Sequence, residues 1–108
     1  MLIEILHIAD CPNWREAGTR LRTALAQLGV AEASIDFRLL SEPADLRGVP
    51  FAGSPTMLVD GRDLFPSQGA TGDLACRIYI SDGRLAPVPT VDELITALRT
   101  RIAERIDG

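Results

Sequence analysis

Lysine is absent from this chain of 108 residues, histidine occurs once, and cysteine occurs twice. No apolar run approaches the ~20 residues that cross a bilayer, and the N-terminal stretch MLIEILHI carries Glu4 where a secretory signal has positive charge. Neither a membrane anchor nor export is expected, and the sequence points to a mature cytoplasmic protein. All 11 basic residues are arginine, scattered from Arg15 to Arg105 against 15 acidic ones, for a net charge of -4. Without a basic stripe, nucleic acid is excluded as a partner. Cys11 and Cys76 are too few for a disulfide-stapled secreted scaffold and, with His7 the sole histidine, too few for a four-ligand zinc site. No metal and no cofactor is called for. Three readings of the cysteines remain: a redox thiol, a soft-metal thiolate, or two inert core residues.

What is present fits one globular domain over residues 1–108. Hydrophobic residues make up 46% and charged residues 24%, the proportions of a soluble domain that buries roughly two thirds of its unfolded surface. The nearly continuous apolar run 2–8 predicts a central strand covered on both faces. Ala17, Leu21, Ala24, Leu25 and Leu28 recur at helical spacing and Gly29 supplies a stop, so a helix runs from about residue 12 or 13 to 28. Residues 34–40 alternate as a second strand, and a helix of that length between two strands predicts a parallel crossover. Residues 41–48 suit a helical turn or two. A third strand, Thr56 to Val59, is entered through Pro55 and left through Asp60-Gly61. Arg62 to Asp73, with Pro66, Gly69 and Gly72, reads as an irregular loop, and Cys76 to Ile80 as a fourth strand ending at Asp82-Gly83. Thr90 and Glu93 form a capping box for a last helix whose stripe is Val91, Leu94, Ile95, Leu98, Ile102 and Ile106. The predicted fold is α/β, β-α-β then β-β-α, with helices on both faces of a mixed four-stranded sheet.

Cys11 falls between the first strand and the first helix, where unpaired backbone N–H groups and the positive end of the helix dipole favour thiolate. Pro12 suits the first helical turn. Asp10 opposes ionisation of the neighbouring sulfur and Arg15 offsets it. Asp10 has two readings, helix-start acceptor or proton relay. His7 reads as a satisfied core histidine, Tyr79 as packed on the sheet with its hydroxyl near the surface, and Cys76 as a small buried hydrophobe unless the preceding loop carries it toward Cys11. Trp14 either flanks a substrate groove or packs near Pro50 and Phe51.

Asp10-Cys11-Pro12-Asn13-Trp14 after a strand, and Gly53-Ser54-Pro55-Thr56 leading into another, resemble the thioredoxin-like superfamily over nearly the whole chain. Within it the likeness is to small single-cysteine proteins with a Cys-Pro-x-Trp motif, some labelled as related to alkylmercury lyase; Ala75-Cys76-Arg77-Ile78-Tyr79 carries that last likeness. The resemblance implies a thioredoxin-like fold with Cys11 as nucleophile and Pro55 as a cis-proline. Ser54 would offer backbone groups to an extended substrate, with Trp14 and Thr56 beside it. Trp14 stands where dithiol relatives have their second cysteine, so no thiol one helical turn away can resolve a mixed disulfide on Cys11.

The expected activity is therefore monothiol thiol–disulfide exchange through Cys11 on a disulfide-containing peptide or with a low-molecular-weight thiol, released by a small thiol or by Cys76. The alternatives are a non-catalytic module binding an extended peptide between Trp14 and Pro55, and thiolate capture of a soft metal or organomercurial. No Cys11–Cys76 disulfide is expected. A tight hairpin after the third strand would start the fourth at the end of the sheet opposite Cys11, beyond the ~7 Å Cα separation that a bridge tolerates.

Overall fold

The computed structural model describes residues 1–66 and 74–107. In chain order it contains β1 (Ile3–His7), α1 (Trp14–Gln27), β2 (Ile35–Leu39), a 3₁₀ turn (Pro43–Leu46), β3 (Thr56–Val59), β4 (Arg62–Asp63), β5 (Tyr79–Ser81), β6 (Arg84–Ala86) and α2 (Val91–Asp107). One mixed sheet has the strand order β2-β1-β3-β4. In it β1 is parallel to β2 and antiparallel to β3, and β4 is antiparallel to β3. β5 and β6 form a separate antiparallel pair.

β1 is internal, as its unbroken apolar run requires. Ile3 and Ile5 pack with Leu21 and Leu25 of α1, Leu94 and Leu98 of α2, and Met57 and Val59 of β3. Leu6 and Ile8 turn the other way, onto Leu40, Leu46, Phe51, Leu58 and Cys11. Both α-helices thus cover the same face and pack on each other, which corrects the expectation of helices on both faces. The segment 41–51 is punctuated by Pro43, Gly48 and Pro50, so it offers the second face single apolar side chains from a short turn.

Local chemistry accounts for most boundaries. Gly29 takes φ 80° after α1, and the Gly29 and Val30 N–H groups donate back to Ala26 and Leu25, closing the last turn. Asp60-Gly61 and Asp82-Gly83 both have positive φ. Each makes a two-residue hairpin turn whose twist matches its strands. The first of these hairpins creates β4 at the start of the stretch Arg62 to Asp73, where an irregular loop was expected; residues 67–73 of that stretch lie outside the described residues, as does the side chain of Ile106. The fourth strand of the sheet is therefore β4 and not Cys76 to Ile80, whose last two residues belong to the separate β5-β6 pair.

α2 begins with the expected capping box. The Glu93 N–H donates to Thr90 Oγ1 at 3.2 Å and the Thr90 N–H donates to Glu93 Oε1 at 2.8 Å. Ser81 Oγ adds a bond to the same carboxylate oxygen at 2.6 Å, tying β5 to α2. These donors, Ser81 first, hold the Glu93 carboxyl below its usual range. No helix among the described residues is long and apolar enough to cross a membrane. Thr90→Ala removes the cap from the Glu93 N–H and is expected to lower unfolding free energy by about 1 kcal/mol, measured by urea denaturation.

Candidate functional site

β3 runs antiparallel to β1, with Thr56 opposite Leu6, so the chain entering β3 passes the point where β1 ends. Ser54 sits at this crossing. Its Oγ accepts the Ile8 N–H at 3.1 Å, its own N–H donates to Ala75 O at 2.8 Å, and its carbonyl accepts the Arg77 N–H at 2.9 Å. Residues 75–77 thus lie parallel to Ser54 in a single-residue bridge centred on Cys76. This register brings Cys76 to Cys11, and the two are joined in a disulfide with Cα atoms 5.9 Å apart, inside the usual range for a bridge. The expectation of an unbridged pair is corrected, and with it the monothiol description. Cys76 does not begin a strand hairpinned to β3; it docks beside the entrance of β3, at the same end of the sheet as Cys11.

The two halves of the disulfide differ. Cys11 is fully buried among Leu6, Ile8, Leu40, Leu46, Phe51 and Leu58, whereas Cys76 is exposed. The expectation of a buried Cys76 is reversed because buried and exposed positions alternate from Cys76 to Ile80, with Arg77 and Tyr79 on the buried side. Backbone geometry at Gly53 permits the docking. Gly53 has φ 109°, and a Cβ there would lie 2.7 Å from Arg77 Cβ and 2.8 Å from its Cα, so only glycine lets the two segments approach this closely.

The Ser54–Pro55 peptide bond is cis. The Pro55 carbonyl accepts the Tyr79 hydroxyl at 2.5 Å. Tyr79 is buried, which corrects the placing of its hydroxyl near the surface, and burial pushes the phenol above its usual range, so it stays a donor. Thr56 is also buried, with Oγ1 donating to Gly53 O at 2.5 Å and accepting the Ala52 N–H at 3.0 Å. The backbone groups of Ser54 that were assigned to an extended substrate are occupied by the chain's own residues 75–77.

Asp10 is exposed on the turn between β1 and α1. Trp14 opens α1 and packs away from Phe51. It stacks on His7 at 4.4 Å between ring centroids, meets Phe37 edge-on at 5.5 Å, and lies under the Arg15 guanidinium at 5.0 Å. His7 is buried, but its Nδ1 has no hydrogen-bond partner among the described residues, so the expectation of a satisfied core histidine holds for burial alone. Burial lowers its pKa from 6.5. Among the described residues no group of three or more His, Cys, Asp or Glu side chains can hold a metal ion.

With this geometry in view, the comparisons are brief. No family model, curated protein or solved structure matches this chain.

Sequence reasoning missed the groups that hold Cys76. Arg77 is buried, with 6% of the residue exposed; its Nη1 reaches both Asp63 carboxylate oxygens, at 3.1 and 2.9 Å, and its Nη2 donates to Phe65 O at 2.5 Å. It also lies over the Tyr79 ring, 4.4 Å from the centroid. A pair 14 residues apart in sequence follows no helix or strand period. The one signal in the sequence is Gly53, whose need is visible only once a second segment lies against it.

His7 supplies a pH test. A group with a depressed folded pKa leaves the unfolded chain binding more protons, so stability is lost as pH falls from above 6.5 toward the folded value. Urea denaturation at about pH 7.5 and about pH 5.5 is expected to show that loss, and His7→Phe is expected to reduce it.

Proposed function

We propose that this chain is a thioredoxin-like protein of the cytoplasm that carries out thiol–disulfide exchange through an internal pair, Cys11 and Cys76. The observation that carries the reading is the pairing itself, with one cysteine buried in the turn between β1 and α1 and the other exposed. The strand–cysteine–helix arrangement and the cis Ser54–Pro55 bond support the fold assignment. In a reducing compartment a disulfide of this kind serves as a working bond.

The asymmetry sets the order of events. An incoming thiolate attacks the Cys76 sulfur, a new S–S bond forms, and the Cys11–Cys76 bond breaks with its electron pair leaving on Cys11. A second thiolate attacks the incoming sulfur, releases a small disulfide, and frees the Cys76 thiolate, so two thiols are oxidised and the pair is reduced. In the opposite direction the Cys76 thiolate opens a substrate disulfide. Cys11 then attacks the Cys76 sulfur, re-forms the pair and expels the reduced substrate. Cys11 lies three residues before α1 and packs among apolar side chains on the sheet face opposite that helix, which corrects the expectation of a sulfur at the helix start; its burial is what leaves the first attack to Cys76. Cys11 thus resolves the mixed disulfide formed on Cys76, a role that Trp14 cannot fill.

The substrate class is a disulfide-containing peptide or a low-molecular-weight disulfide such as oxidised glutathione. The assignment is tested by trapping. Reduced Cys11→Ser protein mixed with oxidised glutathione is expected to accumulate a mixed disulfide on Cys76. Cys76→Ser protein forms one on buried Cys11 at least about tenfold more slowly, because access limits exchange. Equal or faster trapping on Cys11 returns the attacking role to that residue, and trapping on neither removes the exchange reading.

A further inference from the structure

We propose that Arg77 is the positioning residue of the redox pair, holding Cys76 beside Cys11 whether or not the sulfurs are bonded; the inference rests on the exchange reading above. A disulfide forms only when both Cα separation and Cβ direction are right. The question is what keeps Cys76 in place once the bond opens.

On its N-terminal side Ala75 is exposed and is held by one bond, from the Ser54 N–H to its carbonyl, while Leu74 packs half-buried on the cluster around Cys11, a contact without direction. On its C-terminal side Ile78 is 66% exposed and gives no hold. Arg77, between them, is fixed at four points that do not involve sulfur. Its backbone N–H donates to Ser54 O, and its guanidinium engages the Asp63 carboxylate, the Phe65 carbonyl and the Tyr79 ring.

The partners are themselves rigidly placed. Asp63 lies in β4, paired with Leu58 of β3. Its carboxylate accepts the Phe65 N–H at 2.9 Å, and its carbonyl accepts a bond from Arg101 of α2. Tyr79 is held by its bond to Pro55 O. The guanidinium therefore refers the position of Cys76 to the main sheet, to α2 and to the cis-proline segment together. Its planar fork holds a carboxylate and a carbonyl in fixed directions, where an ammonium acts as a point charge without that geometry.

With these anchors the reduced pair stays adjacent, so its effective concentration is high and the disulfide is favoured. Without them the segment 74–77 gains freedom only in the reduced state, and the disulfide becomes easier to reduce. A purely structural ion pair would instead lower the stability of both redox states alike and leave the redox equilibrium where it was.

The test is the equilibrium of the full chain with glutathione buffers, read as the fraction of alkylatable thiols by intact mass. Arg77→Met together with Asp63→Asn removes both charges, so neither is left buried and unpaired. Provided the circular dichroism spectrum is retained, this protein is expected to have an equilibrium constant for oxidation at least about tenfold below the native one, an upward shift of about 30 mV. Arg77→Lys is expected to fall between. A folded double variant with the native constant overturns the inference. Should the double variant not fold, Arg77→Lys decides by the same comparison, a native constant overturning the inference and a lowered one sustaining it. A native protein that does not equilibrate with glutathione at all overturns the exchange reading and this inference with it, whereas a native protein that cycles beside variants that match it overturns the inference alone.

Discussion

Two backbone hydrogen bonds, from the Ser54 N–H to Ala75 O and from the Arg77 N–H to Ser54 O, fix where the second half of the chain meets the first. Ser54 stands at the end of β1 and the start of β3, and through these bonds the segment carrying Cys76 joins that end of the sheet. Everything at the site follows from this contact. It places one sulfur against the other, turns Arg77 inward and Cys76 outward, and requires a glycine at 53. It also fills the main-chain positions of Ser54 from within the molecule.

The contact is small and its supports are spread through the fold. A backbone bond is worth only about 1 kcal/mol net, so two of them do not hold a segment by themselves. The buried Arg77–Asp63 pair contributes position more than net stability, since the desolvation of both charges offsets much of their attraction. The disulfide links residues 65 apart in sequence, and restricting the unfolded chain over such a loop stabilises the folded state by about 4 kcal/mol in the chain-entropy account. On the proposed role of Arg77, reduction removes that constraint and leaves the ion pair and the Ser54 contacts in place. The same arrangement thus combines a fold that tolerates opening of the bond with a geometry that favours its return.

Features governed by neighbouring residues were legible in the sequence. The apolar run 2–8 gave an internal strand, Gly29 a helix stop, Asp60-Gly61 and Asp82-Gly83 two turns, and Thr90 with Glu93 a capping box. The Ser54–Pro55 bond, which the family resemblance pointed to as cis, is cis. Features governed by distant residues were not legible. β4 has two residues, too few to show a period, and exists because the Asp60-Gly61 turn brings Arg62 opposite Val59. The packing of α1 and α2 on one face depends on which apolar stripe fits beside which, and both stripes read alike from sequence. Cys76 was assigned to a strand from its alternating neighbours. The alternation is real, but the strand begins three residues later and the cysteine pairs with Ser54 instead. The roles of Arg77 and Asp63 were hidden for the same reason, because an ion pair between residues 14 apart leaves no spacing to read.

The account stands on one covalent fact, and counting thiols tests it most directly. Protein equilibrated with oxidised glutathione, then denatured and alkylated without reductant, is predicted to take up no label and to carry no glutathione, while reduction before alkylation yields two labels. Two labels without reduction, or a glutathione adduct on each cysteine, would contradict the internal pair on which the proposed chemistry depends.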